Sequence, residues 1–201
     1  NMTLDSNEWV FIETNGVEAF YPQLKVFSTH LSERVQKDSV ESVKSYVFVG
    51  EGSFDVPYVI VNKYDMEILS NLVSSGIDFE GIYFKVKEDV SVIDLTYEVN
   101  YKPIGSIATQ FKGSFDGTHT NFVVKMNTSS NYQGLFGYLG DTAHVKNLSV
   151  SGSITGNNFV GSIAGVNYGV IENVFTTADL VGKDNVGGIT GSNHGEVRVS
   201  Y

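Results

Sequence analysis

The stretch Gly161-Ser162-Ile163-Ala164-Gly165-Val166-Asn167-Tyr168-Gly169-Val170-Ile171-Glu172-Asn173 returns as Gly187-Gly188-Ile189-Thr190-Gly191-Ser192-Asn193-His194-Gly195-Glu196-Val197. Glycine falls on glycine, asparagine on asparagine and branched aliphatic on branched aliphatic at an offset of ~26 residues. The match also runs backwards. Val145-Lys146-Asn147-Leu148 aligns with Ile171-Glu172-Asn173-Val174, and Gly134-Leu135-Phe136-Gly137 fills the same slot one unit earlier, with a two-residue insertion before Val145. A period of this length marks a repeat architecture, in which each unit buries its apolar face against the next.

The content of one unit decides which architecture. Its apolar pieces are short, such as Leu135-Phe136, Val145 to Val150 and Phe159-Val160, and each is bounded by Gly, Asn, Ser or Asp. These are turn residues, and no 3.6-residue periodicity leaves room for a helix. Helical solenoids are excluded, and spaced leucines are missing. Three short strands joined by turns make one rung of a right-handed parallel β-helix, the hand following from the chirality of parallel connections. Like positions then stack ~4.8 Å apart. Asn147 falls on Asn173 as an internal amide ladder, and the columns Gly165/Gly191 and Gly169/Gly195 are expected to supply tight corners and left-handed backbone angles.

Composition separates two halves. Residues 1–101 carry 17 acidic and 7 basic side chains and 5 glycines, whereas residues 102–201 carry 6, 6 and 16. The whole chain has a net charge of −10 and no cysteine. The acidic balance argues against nucleic acid or an anionic membrane surface as partner. Without cysteine there is no disulfide, thiolate zinc site or cysteine nucleophile. No apolar run approaches ~18 residues, so no membrane insertion is expected. Asn1-Met2-Thr3-Leu4-Asp5 shows no basic region followed by an apolar one, so the expectation is a fragment without its signal peptide.

In the first half, Asn62 to Ser75 reads as a helix with Met66, Leu69, Leu72 and Val73 on one face and Gly76 closing it, placed to plug the N-terminal end of the coil. Residues 1–49 read as a hairpin around Asn15-Gly16 and a tether or short helix over His30–Tyr46, the tail of a preceding module. The expected division is therefore 1–49 and 50–201.

The placement of the ionisable side chains points away from catalysis. The carboxylates of residues 102–201 are Asp116, Asp141, Glu172, Asp179, Asp184 and Glu196, and none stacks on another at the repeat offset. A glycoside hydrolase needs a carboxyl pair ~5–9 Å apart. No two of His30, His119, His144 and His194 have metal-ligand spacing. Neither cofactor nor metal is expected. Asp116-Gly117-Thr118-His119-Thr120 reads as a turn. Tyr132, Tyr138 and Tyr168 are the candidates for stacking on sugar rings.

The words of the repeat carry a family resemblance. Gly161 to Asn173, preceded by Pro103-Ile104-Gly105, by Phe111-Lys112-Gly113-Ser114-Phe115-Asp116-Gly117-Thr118-His119-Thr120, and by Pro57-Tyr58-Val59-Ile60 with Asp65-Met66-Glu67-Ile68-Leu69, resembles the GLUG-repeat modules of bacterial surface proteins. The GLUG-like units cover about 134–201. Val199 stands where that pattern has Asn, and Tyr201 falls inside a coil, so the expectation is a C-terminally truncated module. The resemblance implies an extracellular, cell-surface, adhesin-like or spacer module, monomeric within a larger chain. The alternatives are a carbohydrate-binding module or an accessory domain, since similar repeats accompany IgA-cleaving peptidases. Implied partners are host glycans or matrix proteins.

Overall fold

The computed structural model describes residues 48–96 and 101–201, together with four short strands nearer the N-terminus. The chain divides into two units, Asn1–Val40 and Glu41–Tyr201. In the first, β1 (Trp9–Val10) pairs antiparallel with β4 (Gln23–Leu24), and β2 (Glu13–Thr14) with β3 (Val17–Glu18). The Thr14↔Val17 register leaves a two-residue connection, the spacing an Asn-Gly hairpin requires. Asn15-Gly16 itself and the segment His30–Tyr46 lie outside the described residues.

The second unit begins with β5 (Tyr58–Ile60), α1 (Lys63–Ser74), β6 (Tyr83–Val86) and β7 (Val92–Asp94). It continues through β8 (Ser114–Asn127), β9 (Phe136–Leu139), β10 (His144–Thr155), β11 (Asn158–Gly161) and β12 (Ala164–Asn167). The last full coil holds β13 (Val170–Thr176), β14 (Asp179–Val181), β15 (Asp184–Gly187) and β16 (Thr190–Asn193), and β17 (Glu196–Arg198) lies on β13 as the start of the next. Every pairing among β5–β17 is parallel. Strands related by one coil lie side by side, giving the face β5-β6-β8-β10-β13-β17, the face β9-β12-β16 and the pair β11-β15. The second unit is thus a parallel β-solenoid, as the periodicity predicts. Four short strands make up its last coil rather than three, because β10 serves both β13 and β14.

One inward column ties the coils together. Tyr58 lies on Phe84, Phe84 on Phe115, Phe115 on Val145, Val145 on Ile171 and Ile171 on Val197. All but the last are buried. The repeat is 26 residues where Asn147 meets Asn173, but Asp116 reaches Asn147 across 31. The longer coils enclose a wider interior, and rings fill it: Phe111–Phe136 (5.3 Å), Phe115–Phe136 (5.5 Å) and Phe84–Phe111 (6.1 Å). The shorter coils close over Val150, Ile154, Val160 and Ile163.

Helix α1 covers the N-terminal end. Asn62 caps it, accepting from the Tyr64 and Asp65 amides at 2.8 and 3.3 Å, while Asp65 accepts in return from the Asn62 amide at 3.1 Å. Met66, Leu69, Leu72 and Val73 are buried as one stripe. Ser70 Oγ donates to the Lys102 carbonyl at 2.9 Å, so a side chain takes up backbone at the edge of the following rung. Phe48 belongs to this end, with its ring 5.4 Å from Phe84 and 5.7 Å from Tyr58.

The glycine columns act by space rather than by backbone angle. Gly165, Gly169, Gly191 and Gly195 all lie outside the left-handed region, which corrects the expectation for them. A Cβ on Gly165 would sit 2.7 Å from the Tyr132 backbone, on Gly169 2.3 Å from the Ala143 carbonyl, on Gly191 2.5 Å from the Val160 nitrogen, and on Gly195 2.1 Å from the Gly169 carbonyl. The left-handed corners are taken instead by side-chain-bearing residues in two columns. One is Asn147, Asn173 and Val199 (φ 55°, 51° and 40°); the other is Tyr132, Phe159 and Asn185 (61°, 60° and 56°).

Two alanine substitutions separate these effects. Gly169→Ala should destabilise by about 2 kcal/mol or more, since its Cβ meets backbone that cannot move without breaking the stack. Gly188→Ala, with open space around its Cβ and no positive φ, should be neutral or stabilising by up to about 1 kcal/mol. Urea unfolding of the two variants checks the contrast.

Candidate functional site

The corner column places the first ladder. Asparagine tolerates the left-handed conformation well. Asn173 Nδ2 donates to Asn147 Oδ1 at 2.8 Å, and Asn147 Nδ2 donates to Asp116 Oδ1 at 3.0 Å. The direction is set by Asp116, which in its ionised form only accepts. Asn147 must therefore present its amide nitrogen to Asp116 and its oxygen to Asn173. Asn147 and Asn173 meet as the repeat predicts, but Asn173 is exposed and Asn147 half-buried. The ladder lies on the surface, which corrects the expectation of an internal one.

The buried ladder is elsewhere and was missed. Asn167, with 0% exposure, donates from Nδ2 to Asn193 Oδ1 at 2.8 Å and accepts from the Gly169 amide at 3.0 Å. Its signal was present, since Asn167 and Asn193 occupy matching places in the repeated strings. Other polar side chains also bridge coils. Asn121 joins Ser149 and Ser151 at 3.1 and 2.9 Å, His144 Nε2 meets Glu172 Oε2 at 3.1 Å, and Lys146 Nζ lies 3.6 Å from Asp116. The sequence reads Asp116–Thr120 as a turn, but these residues lie inside β8, which is interrupted only by the left-handed pair Thr118 and His119 (φ 48° and 66°). Thr118 donates its amide to Asp116 at 2.9 Å and its hydroxyl to the Val86 carbonyl at 3.0 Å.

The three candidate tyrosines come together in one aromatic surface. Tyr138 and Tyr168 are stacked at 5.7 Å and 12°, and Tyr168 and His194 at 4.6 Å and 13°. Tyr132 stacks on Phe159 at 5.1 Å and lies 5.9 Å from Tyr138, tilted. His194 and Phe159 extend the set beyond the tyrosines. Tyr138 is 9% exposed and Tyr168 42% exposed. Burial, helped by the hydrogen bond and proximity of Tyr168, pushes the Tyr138 phenol up to about 12. The stack has a chemical consequence: parallel rings occupy each other's faces. A sugar ring stacks on a free aromatic face, and this column offers mainly edges and hydroxyl groups.

Among the described residues, no group of three or more His, Asp or Glu side chains is arranged to hold a metal ion. Lys112 is set among Glu80 (3.5 Å), Asp78 (3.9 Å) and Asp141 (4.0 Å). It draws together carboxylates from two segments, 78–80 and 141, with one charge.

Two outcomes test the ladders. Val199 occupies the next ladder position, at a φ that a β-branched residue resists, and it offers Asn173 no donor. Val199→Asn should therefore stabilise by about 1 kcal/mol, read from the urea midpoint, through one added hydrogen bond and relief at the corner. The raised Tyr138 phenol favours the folded state fully below the ordinary tyrosine value of about 10. That contribution should be lost as pH rises from there through about 12, and Tyr138→Phe should remove one late phenolate step near that pH in an ultraviolet titration.

Comparison with known proteins gives two relatives. The chain is 36% identical over 149 residues to a protein of Evansella cellulosilytica described as a Gly-rich membrane protein, a match covering 68% of this chain and 16% of the relative. It is 30% identical over 135 residues to halomucin of Haloquadratum walsbyi, covering 64% of this chain and 2% of halomucin. The chain thus spans a small part of the length of each. No family model matches it. No solved structure matches it either.

Proposed function

We propose that the chain is a non-catalytic spacer segment of a long, exported surface protein, whose useful property is a stiff, incrementally extendable coil. The observation that supports this most is how the polar side chains are engaged. Asp116, Asn121, His144, Asn147, Asn167, Glu172, Asn173 and Asn193 each bond to a side chain of a neighbouring coil. Groups that could bind or transform a ligand hold one coil to the next. Each coil adds ~4.8 Å of length. The GLUG-like spacing is consistent with this role. So are a relative described as a membrane protein and the small share of each relative that this chain covers.

The glycan-binding reading through Tyr132, Tyr138 and Tyr168 has less support, because the rings stack on one another instead of presenting a row of faces. The peptidase-accessory reading rests on the family resemblance alone.

Inserting a second copy of residues 145–170 after Val170 should give a folded protein that is longer by ~4.8 Å in small-angle scattering. It should bind no member of a glycan or matrix-protein panel, and neither should the parent chain. Saturable binding by the parent that Tyr168→Ala abolishes would overturn the spacer reading in favour of a ligand site.

A further inference from the structure

Asn-X-Ser/Thr is the acceptor pattern for N-linked glycans, and so bulky a group requires that the pattern stand on the surface. The solenoid holds it at Asn127-Thr128-Ser129 and at Asn147-Leu148-Ser149. Asn1-Met2-Thr3 also matches and lies outside the described residues. The structure separates the two solenoid matches.

Asn147 is committed to the stack. Its Nδ2, the atom that would carry the sugar, donates to Asp116 at 3.0 Å, and its Oδ1 accepts from Asn173 at 2.8 Å. The Ser149 hydroxyl donates to Asn121 at 3.1 Å, and Leu148 is buried. A sugar on this nitrogen would sit where the coils touch.

The first match stands differently. Asn127 ends β8 after the buried Met126, and Asn127, Ser129 and Ser130 are exposed. The turn also departs from the repeat. Thr155 pairs with both Asn127 and Val181, and Val160 with both Gln133 and Val186. The path from Asn127 to Gln133 is therefore one residue longer than its equivalents, Thr155 to Val160 and Val181 to Val186. Those shorter paths use Gly156 and Gly182, where a Cβ would meet side chains at 2.6 and 2.7 Å, whereas the longer one holds no glycine. Its flanks keep their bonds to the next coil: the Thr128 amide donates to the Thr155 carbonyl at 3.1 Å, and the Ser130 carbonyl accepts from the Asn157 amide at 2.8 Å. Ser129, between them, is at the surface.

We propose that Asn127 is an acceptor site for an N-linked oligosaccharide, and that Asn147 is closed to it in the folded chain. The donor class is an oligosaccharide joined through diphosphate to a polyisoprenoid lipid. Asn127 Nδ2 forms the bond to C1 of the first sugar, and the bond from C1 to the diphosphate oxygen breaks. The lipid diphosphate leaves with that electron pair, and one amide proton passes to a base of the transferase. The proposal rests on the exported part of the reading above, since such donors act beyond the membrane, but not on the spacer role. The glycan adds a hydrated branch to one flank and leaves the ladder of Asn147 and Asn173 intact.

The test is transfer to the folded full chain by a single-subunit oligosaccharyltransferase supplied with a lipid-diphosphate oligosaccharide, read peptide by peptide by mass spectrometry. The expected result is one oligosaccharide on the peptide holding Asn127 and none on the peptide holding Asn147. Asn127→Gln and Ser129→Ala should each abolish the transfer, and Ser129→Thr should retain it. Synthetic peptides 123–131 and 143–151 should both accept, which assigns the contrast to the fold. No transfer to Asn127 in the folded chain overturns the proposal, and so does transfer to Asn147 as readily as to Asn127. Neither result touches the spacer reading, which falls only to saturable binding of the kind that Tyr168→Ala abolishes.

Discussion

The structure depends on one constraint: each coil must lie within backbone hydrogen-bonding distance of the next along its whole path. That spacing, ~4.8 Å, is smaller than most side chains, so any position where the path turns inward has room only for glycine. The Cβ distances at Gly169 and Gly195, 2.3 and 2.1 Å from carbonyl oxygens, are direct expressions of it. The same spacing makes asparagine amides meet and lets rings lie flat on one another. Ladders, stacks and glycine columns are thus three responses of different side chains to one repeat distance.

What was legible in the sequence follows from this constraint. An in-register stack needs equivalent residues at equal intervals, so the 26-residue register of Val145, Ile171 and Val197 can be read without coordinates. The N-terminal coils were harder because insertions lengthen them. Phe84, Phe115 and Val145 lie on one another, yet their intervals differ from the repeat, and only the helix signature and the family-like words located them. The capped helix was legible because Asn62, Asp65 and the Met66-Leu69-Leu72-Val73 stripe are local signals.

Side-chain direction was not legible. Periodicity states that two asparagines are neighbours but not whether they face the core or the solvent. Asn147 and Asn173 adopt left-handed angles and lie outward; Asn167, two residues before a glycine held against the Ala143 carbonyl, lies inward. The role of glycine was misread for a related reason: the Gly165/Gly191 and Gly169/Gly195 columns serve close approach, while left-handed angles in the repeated units fall on Asn147, Asn173, Phe159 and Asn185. Tyr132 and Phe159 hold such corners despite the steric cost to a bulky residue, and their mutual stacking at 5.1 Å offsets part of it.

The charge asymmetry between the halves acquires a physical meaning once the ends are distinguished. A parallel solenoid open at both ends could add copies head to tail without limit, because that contact does not close. Here the helix-covered end is also the acidic one. Glu51, Asp55, Asp65, Glu67, Asp78, Glu80, Glu88, Asp89 and Asp94 face only Lys63, Lys85 and Lys87 among residues 48–96. Covalent capping by α1 removes free backbone groups, and like charge opposes a second copy at the same end. A chain arranged in this way can extend coil by coil within itself, where register is enforced by connectivity.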